Sequence, residues 1–282
     1  MLLFYRRGGL GDTLLTFPTL EILKKRGNYI VAIGNTEYFK IAKEIGWVDE
    51  IYSELYSFLF SRNFKQKIIF SFKEGYPPFP SERQWMVEYY LEILKLKGES
   101  FSLELPLQGL KESILQDKIV LHPSSGSPKK NPPLELFLKI EEFLKDLGLE
   151  TIYLVGEADG WLKKTVKNYW ESLDPLEIAY HLKKAKAFIG LDSGISHLSC
   201  YLGLPSFIFF GPTDPIVWKP IGRNYQIITL NFFCSPCFPK ICLEKPCLDS
   251  EALFKAFLKK WGDLDPPKKS LPPRNSFICF PN

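Results

Sequence analysis

Short apolar runs alternate with longer segments of helical periodicity along most of this chain. In the first part of the chain, strands are predicted at residues 2–5, 29–33, 50–52 and 67–72. Helices are predicted between and after them at residues 13–25, 36–45 and 81–96. Strands that alternate with helices are typical of a parallel, doubly wound sheet with helices on its faces.

The alternation stops over residues 101–117, which have no strong period, and it restarts at Lys118. Strands are then predicted at residues 118–122, 151–155, 187–190 and 206–210, and helices at residues 134–147, 160–170, 175–184, 196–202 and 248–261. The sequence therefore predicts an α/β fold in which two Rossmann-like, doubly wound parallel-sheet domains face a cleft. Their predicted limits are residues 1–115 and 116–262, followed by a Pro/Lys-rich tail at 263–282 with no predicted structure.

Composition narrows the class of protein. Hydrophobic residues make up 45% of the 282 residues and charged residues 24%, which is ordinary for a globular protein. The net charge of +4 argues against a dedicated nucleic-acid binder but permits contact with an anionic membrane surface. No apolar run approaches the ~20 residues that span a bilayer. The first apolar residues precede the first arginines, the reverse of a signal peptide, so a cytoplasmic location is expected.

One polar turn stands out, since it joins a buried strand to a helix. Asp192, Ser193 and Gly194 follow the strand at 187–190 and supply turn and capping chemistry. In open α/β sheets, ligands bind at the carboxyl ends of strands. The free N–H groups of that helix and its dipole would suit a phosphate or diphosphate there. His197 lies one turn into the helix, close enough to add a hydrogen bond.

The glycine-rich turn after the first strand is a second candidate. Gly8, Gly9, Gly11 and Asp12 superficially suggest a dinucleotide fingerprint, but the G-x-G-x-x-G spacing is missing and no acid ends the second strand. The glycines still allow a ligand to approach the backbone closely. Asp12 either faces the cleft as a carboxylate or caps the following helix.

Two further loops follow strands of the second domain. Ser125, Gly126 and Lys130 lie in a loop whose amides and ammonium group could wrap an anion, or which is simply a solvated surface loop. Glu157 and Asp159 follow the next strand and could bind ribose hydroxyls or cap a helix. All these loops would converge at one edge of the sheets, which favours a shared site over separate structural roles.

Four cysteines form a tight cluster in sequence. Cys234, Cys237, Cys242 and Cys247 have the spacing C-x2-C-x4-C-x4-C, which is compatible with a structural zinc or iron–sulfur site. Reduced structural thiols are the alternative, or disulfides in a hyperthermophile. No catalytic metal and no cofactor are expected.

Taken together, these pieces resemble glycosyltransferase family 9, the ADP-heptose:lipopolysaccharide heptosyltransferases, over residues 1–261. The family's arginine-x-x-x-Gly-Asp pattern with a following proline resembles Arg7, Gly11, Asp12 and Pro18. Its His-Pro-Gly-Ser loop with Lys-x-Trp-Pro resembles residues 122–126 and 130–133, where Pro132 replaces Trp. Its Asp-Ser/Thr-Gly-Pro-x-His-Leu motif resembles residues 192–198, where Ile195 replaces Pro, and Phe-Gly-x-Thr-x-Pro resembles residues 210–215. Many members also carry the four-cysteine segment.

The resemblance implies a GT-B fold and an inverting, metal-independent transfer of a heptose from an ADP-heptose-like donor. The acceptor would be a lipid-linked lipopolysaccharide core oligosaccharide at the inner face of the cytoplasmic membrane, with peripheral contact there and no nucleic acid as partner. Asp12 would be the general base. An Asp12→Asn change is expected to lower turnover by about two orders of magnitude or more, while donor affinity and melting temperature stay nearly unchanged. Lys130, with the amides at Ser193 and Gly194, would stabilise the departing diphosphate, and Gly8, Gly9 and Gly11 would form the loop on the acceptor side.

Three other functions stay open at this point. The first is transfer from another nucleotide sugar, since no residue in the sequence identifies which sugar is transferred. The second is a non-catalytic nucleotide-binding module on the same scaffold, which would not need Asp12. The third is a nucleotide-sugar epimerase of the same fold, which would need no acceptor.

Overall fold

A computed structural model describes residues 1–61, 63–240 and 242–262, without the side chains of residues 57–60. The first half of the chain builds a four-stranded parallel sheet in the order β3-β2-β1-β4. Its strands are β1 (Leu2–Arg6), β2 (Ile30–Gly34), β3 (Glu50–Tyr52) and β4 (Gln66–Phe70). This is the first part of the Rossmann strand order.

The second half builds a six-stranded parallel sheet in the order β10-β9-β8-β5-β6-β7. Its strands are β5 (Ile119–His122), β6 (Thr151–Val155), β7 (Tyr169–Glu171), β8 (Ala187–Leu191), β9 (Ser206–Phe210) and β10 (Tyr225–Thr229). Counted from β5, this is the complete Rossmann order. The predicted α/β fold with two doubly wound parallel sheets, as in GT-B proteins, is confirmed.

Helices cover the faces of both sheets. Those that follow the strands of the first sheet are α1 (Leu10–Leu14), α2 (Phe17–Lys25), α3 (Thr36–Glu44) and α4 (Met86–Ile93). Those of the second half are α5 (Glu135–Asp146), α6 (Pro175–Leu182), α7 (Gly194–Tyr201), α8 (Pro215–Trp218) and α9 (Ser250–Trp261). The last of these packs on α5 and β10, so it closes the second sheet.

The two faces of the second sheet pack into two different hydrophobic cores. Phe188 and Ile208 point into a core that continues into the first half, whereas Ile189 and Phe207 point into a core with α5 and α9. Successive side chains of a strand point to opposite faces, so both faces of this sheet are apolar. The uniformly buried strands β5, β6, β8 and β9 follow from this arrangement.

The two halves touch along several elements. Helix α1 packs against α7, and α3 packs against α6. The guanidinium of Arg83 pairs with both carboxylate oxygens of Asp214, and Nε1 of Trp85 donates to the carbonyl of Lys219 at 2.8 Å. The predicted division at residues 115 and 116 stays a prediction. The predicted tail at 263–282 lies outside the described residues.

Three predicted helices differ from the observed elements. The helix predicted at 81–96 is shorter, since α4 covers only Met86–Ile93. The single helix predicted at 13–25 is two helices, with α1 ending at Leu14 and α2 beginning at Phe17. Pro18 lacks the N–H that a helix interior requires, so it lies in the first turn of a new helix. The helix predicted at 160–170 is a 3-10 turn, Gly160–Lys164, followed by the edge strand β7. Strand β10 was not predicted, since its half-exposed residues lack a continuous apolar run.

Membrane-spanning helices are missing from the part of the chain that the structure describes: none there is both long and apolar enough to cross a bilayer.

Candidate active site

A cavity of about 540 Å³ lies between the two halves, at the carboxyl ends of the central strands. It is lined by the loop after β1, the loop after β5, the loop after β6 and the turn after β8. The loops that follow β5 and β8 flank the point where the strand order of the second sheet reverses, which is where doubly wound sheets bind ligands. The four loops selected from the sequence therefore meet in one place.

Asp12 forms part of the wall on the side of the first half. It is the third residue of α1, and its Oδ2 accepts the backbone N–H of Gly9 at 2.9 Å, so it serves the helix start without being its N-cap residue. Its Oδ1 accepts a hydrogen bond from Nη2 of Arg6 at 3.1 Å. The side chain retains 25% exposure. A carboxylate anchored on one side and open to the cavity on the other can accept a proton from a bound hydroxyl.

Three glycines, Gly8, Gly9 and Gly11, lie close to Asp12 in the segment that follows β1. Gly8 has φ +150°, and a Cβ there would lie 2.8 Å from the Asp12 side chain, so a larger residue would displace the carboxylate. Gly9 and Gly11 line the cavity, whereas Gly8 is exposed and is not part of its wall. The predicted role of this loop in binding an acceptor stays a prediction.

Lys130 enters the cavity from the opposite half. It is 17% exposed, and its Nζ donates to the backbone carbonyl of Asp192 at 2.6 Å and to Oδ2 of Asp192 at 3.1 Å. Ser125 and Gly126 line the same wall. The hydroxyl of Ser125 lies 2.8 Å from Oδ1 of Asn131 and 2.9 Å from the Ser127 carbonyl, and these contacts fix the loop.

The turn after β8 forms the floor of the cavity. Ser193 is the N-cap of α7 and accepts the N–H of Ser196 at 3.4 Å, while Gly194 begins the helix. Both residues line the cavity, together with Asp192. A helix N-terminus presents free N–H groups and the positive end of the helix dipole. Lys130 lies beside this helix start. Together, Lys130, Ser193 and Gly194 form a corner of the cavity that is suited to an anionic group, the anion-binding corner.

His197 also lines the cavity, with Nε2 3.9 Å from Oδ1 of Asp192. Burial lowers the pKa of His197 below its usual value, although the neighbouring carboxylates of Asp192 and Asp12 oppose that shift. The ring is therefore neutral near pH 7. Within the described residues, its Nδ1 has no hydrogen-bond partner.

The two acids after β6 have different surroundings. Asp159 is buried: Nε2 of His122 lies 3.1 Å from its Oδ2, the Gly156 N–H donates to the same oxygen at 2.9 Å, and the Ser124 hydroxyl donates to its Oδ1. Burial would raise the pKa of Asp159, but the hydrogen bond and the charge of His122 hold it below its usual range. Glu157 is exposed at the cavity wall and interacts electrostatically with Tyr38 of the first half. Of the two, Glu157 is the freer to meet a ligand.

Several residues at the site were not selected from the sequence. Arg6, the last residue of β1, is buried and contacts Asp12, whereas Arg7, which the sequence motif favoured, follows the strand and is 77% exposed. Tyr38 and Phe79 of the first half also line the cavity, as does Phe238 of the cysteine segment. Arg6 could have been found in the sequence as a charged residue at the end of an apolar strand. No sequence pattern pointed to the three aromatic residues.

The cysteine segment borders the cavity. The ring of Phe238 lies 5.9 Å from Nζ of Lys130, and Lys129 donates to the carbonyl of Pro239 at 2.8 Å. Burial raises the pKa of Cys237, and the nearby thiols of Cys234 and Cys242 raise it further.

The five cysteines of the described part, Cys200 and the four of the segment, are free thiols. Nowhere in the described ranges are three or more His, Cys, Asp or Glu side chains arranged to hold a metal ion. A structural metal at Cys234, Cys237, Cys242 and Cys247 stays a prediction.

Comparison with known proteins identifies the family. Residues 94–248 match the family model described as glycosyltransferase family 9 (heptosyltransferase), which is more than half of the chain. The chain belongs to glycosyltransferase family 9. A segment of 73 residues is 34% identical to lipopolysaccharide heptosyltransferase 1 of Pseudomonas aeruginosa, and this segment spans 26% of the present chain and 21% of the length of that relative.

Two solved structures share the fold of this protein. A glycosyltransferase family 9 protein of Veillonella parvula superposes with a TM-score of 0.73 at 14% identity, over 93% of this chain and 96% of that one. The ADP-heptose lipopolysaccharide heptosyltransferase II of E. coli superposes with a TM-score of 0.70 at 15% identity, over 92% and 97%. At these identities the likeness concerns the fold alone.

Proposed function

We propose that this family 9 chain is an inverting, metal-independent glycosyltransferase that moves a heptose from ADP-heptose to an inner-core lipopolysaccharide acceptor. The observation that carries the proposal is the pairing of Asp12 with an anion-binding corner across one cavity. The names of the Pseudomonas aeruginosa and E. coli relatives supply the sugar, the donor and the acceptor class.

The donor would lie along the second half. Its diphosphate would contact Lys130 and the N–H groups at Ser193 and Gly194, and its ribose would contact Glu157. These groups are held in place before a ligand arrives, since Lys130 is anchored on Asp192. Donors that are already oriented stabilise the charge that develops on a leaving diphosphate without needing a divalent ion.

The acceptor hydroxyl would approach from the side of Asp12. Its oxygen attacks the anomeric carbon as the bond from that carbon to the diphosphate breaks, and its proton passes to the Asp12 carboxylate. Attack from the face opposite the leaving group inverts the anomeric configuration. The cavity supports this geometry because the carboxylate and the anion-binding corner belong to opposite halves.

The lipid-linked acceptor would bring the protein to the inner face of the cytoplasmic membrane as a peripheral, cytoplasmic enzyme. The net charge of +4 is compatible with that location.

The deciding experiment incubates the protein with ADP-heptose, UDP-N-acetylglucosamine and other nucleotide sugars, each with and without deacylated core acceptor. The proposal expects ADP release coupled to a glycosylated acceptor with ADP-heptose only. Transfer from another donor would replace the sugar, isomerisation without acceptor would indicate an epimerase, and nucleotide binding without turnover would indicate a non-catalytic module.

A further inference from the structure

Arg6 is a buried charge at the end of β1, directly behind Asp12. Its side chain is 2% exposed, and Asp12 is the carboxylate with which it pairs in the described part of the chain. A buried guanidinium is costly unless it is paired and hydrogen-bonded. An apolar residue at this position would fill the core without that cost. The contact of the guanidinium with Asp12 is therefore the feature that explains a buried charge here.

The contacts of Arg6 hold its planar group from several directions. Nη1 donates to the carbonyl of Arg7 at 2.7 Å, and Nη2 donates to Oδ1 of Asp12 at 3.1 Å. The guanidinium carbon lies 5.4 Å from the ring centre of Phe79 and 6.0 Å from that of Tyr90. Arginine presents its donors in a rigid fork, so fixing the plane of the group also fixes the carboxylate oxygen that it holds.

The second carboxylate oxygen of Asp12 is held by the Gly9 N–H, so both oxygens have a defined direction. Phe79 lines the cavity and also contacts Trp218 of the second half, with ring centres 5.7 Å apart. The residue that supports Arg6 thus belongs to the same cavity as the anion-binding corner.

We infer that Arg6 is the positioning residue of the transfer step, holding the Asp12 carboxylate toward the acceptor hydroxyl. This inference rests on the proposed function, because it assigns Arg6 to the proton transfer at Asp12. Arg6 reaches the reaction through Asp12, so its loss acts on turnover and leaves donor binding unchanged.

The test is steady-state kinetics of Arg6→Ala with ADP-heptose and deacylated core acceptor, with and without millimolar guanidinium. The expected kcat falls by about 10²-fold, since a displacement of about 1 Å at a reacting group can cost that much. The KM for ADP-heptose and the affinity for ADP should stay within about twofold of wild type. Guanidinium should restore part of the lost kcat in Arg6→Ala and none in Asp12→Asn.

Arg7→Ala is the matched control, because the neighbouring arginine is exposed and pairs with Glu54 at 3.6 Å instead; its kcat should equal that of wild type. If Arg6→Ala fails to fold, Arg6→Lys decides, since it keeps the charge but loses the fork, and its kcat should fall by about tenfold. A wild-type kcat in the folded variant, a loss confined to the donor KM, or no restoration by guanidinium would overturn the inference. Absence of transfer by the wild-type protein would instead overturn the proposed function.

Discussion

A Cβ atom placed on Gly11 would lie 2.9 Å from Cδ2 of His197, closer than two carbon atoms can approach without a shift. Gly11 belongs to α1 in the first half and His197 to α7 in the second. A Cβ on Gly194 would likewise lie 2.7 Å from Cβ of Leu10. The two helices that carry Asp12 and the anion-binding corner thus touch through glycines, which keeps the two sets of groups at a short separation.

Gly11→Ala should destabilise the protein even though alanine favours helices. The added methyl group meets a buried ring with little room to move, and overpacking of this kind typically costs about 1–3 kcal/mol. Urea denaturation measures the free energy of unfolding. Gly160→Ala is the control, because its Cβ would meet open space. Equal stabilities for the two variants would contradict a close contact between α1 and α7.

Asp12→Asn should lower kcat by about 10²-fold or more, because an amide cannot accept the proton of the acceptor hydroxyl. The sequence alone predicted a nearly unchanged melting temperature. The structure alters that expectation: the substitution leaves Arg6 buried without its carboxylate, so the melting temperature should also fall.

The measurement for Asp12→Asn is kcat per folded molecule, with thermal unfolding recorded on the same sample. If turnover per folded molecule stays at the wild-type value while the melting temperature falls, Asp12 has a structural role only. The catalytic proposal would then be withdrawn.

Lys130→Ala should weaken ADP binding by about 10- to 100-fold, as hydrogen bonds to charged groups contribute about 1.5–3 kcal/mol. Isothermal titration calorimetry with ADP measures the effect. Lys129→Ala is the matched control, since the adjacent lysine is exposed and bonds to the carbonyl of Pro239. Equal Kd values for Lys130→Ala and wild type would show that the diphosphate lies elsewhere.

Stability should fall on mild acidification because of His197. Its pKa is lowered in the folded protein by burial, whereas the unfolded chain binds a proton near the usual value of 6.5. The contribution of His197 to the free energy of unfolding is therefore complete above pH 6.5. It is lost as the pH falls below that value, by at most about 1.4 kcal/mol per pH unit. Urea denaturation at pH 7.5 and pH 5.5 should show a smaller drop for His197→Gln than for wild type. Identical drops would indicate that His197 does not titrate differently on folding.

Transfer should survive treatment with EDTA, because the proposed stabilisation of the leaving diphosphate uses Lys130 and backbone N–H groups. Circular dichroism on the same sample reports whether the fold persists. Activity that is lost to EDTA and restored by a divalent ion, while the fold is unchanged, would be evidence for a catalytic metal. A loss of folding instead would indicate a structural metal at the four cysteines.

The strand-helix alternation and the polar loops after strands were readable from the sequence, because buried parallel strands require continuous apolar runs and turns require particular residues. Asp12, Lys130 and the turn at Asp192 were selected in this way, and the structure brings them to one cavity. Short half-exposed strands such as β10 were missed, since an edge strand buries too little surface to leave a clear pattern.

The orientation of individual side chains was decided only by the tertiary structure. Of two adjacent arginines the sequence motif favoured Arg7, yet Arg6, the last residue of β1, contacts Asp12, whereas Arg7 follows the strand and lies in solvent. Two nearby acids look equally suited to a ribose, yet Asp159 is held by His122 while Glu157 stays exposed. Sequence periodicity depends on neighbours along the chain, whereas these differences depend on partners distant in sequence, which only folding brings into contact.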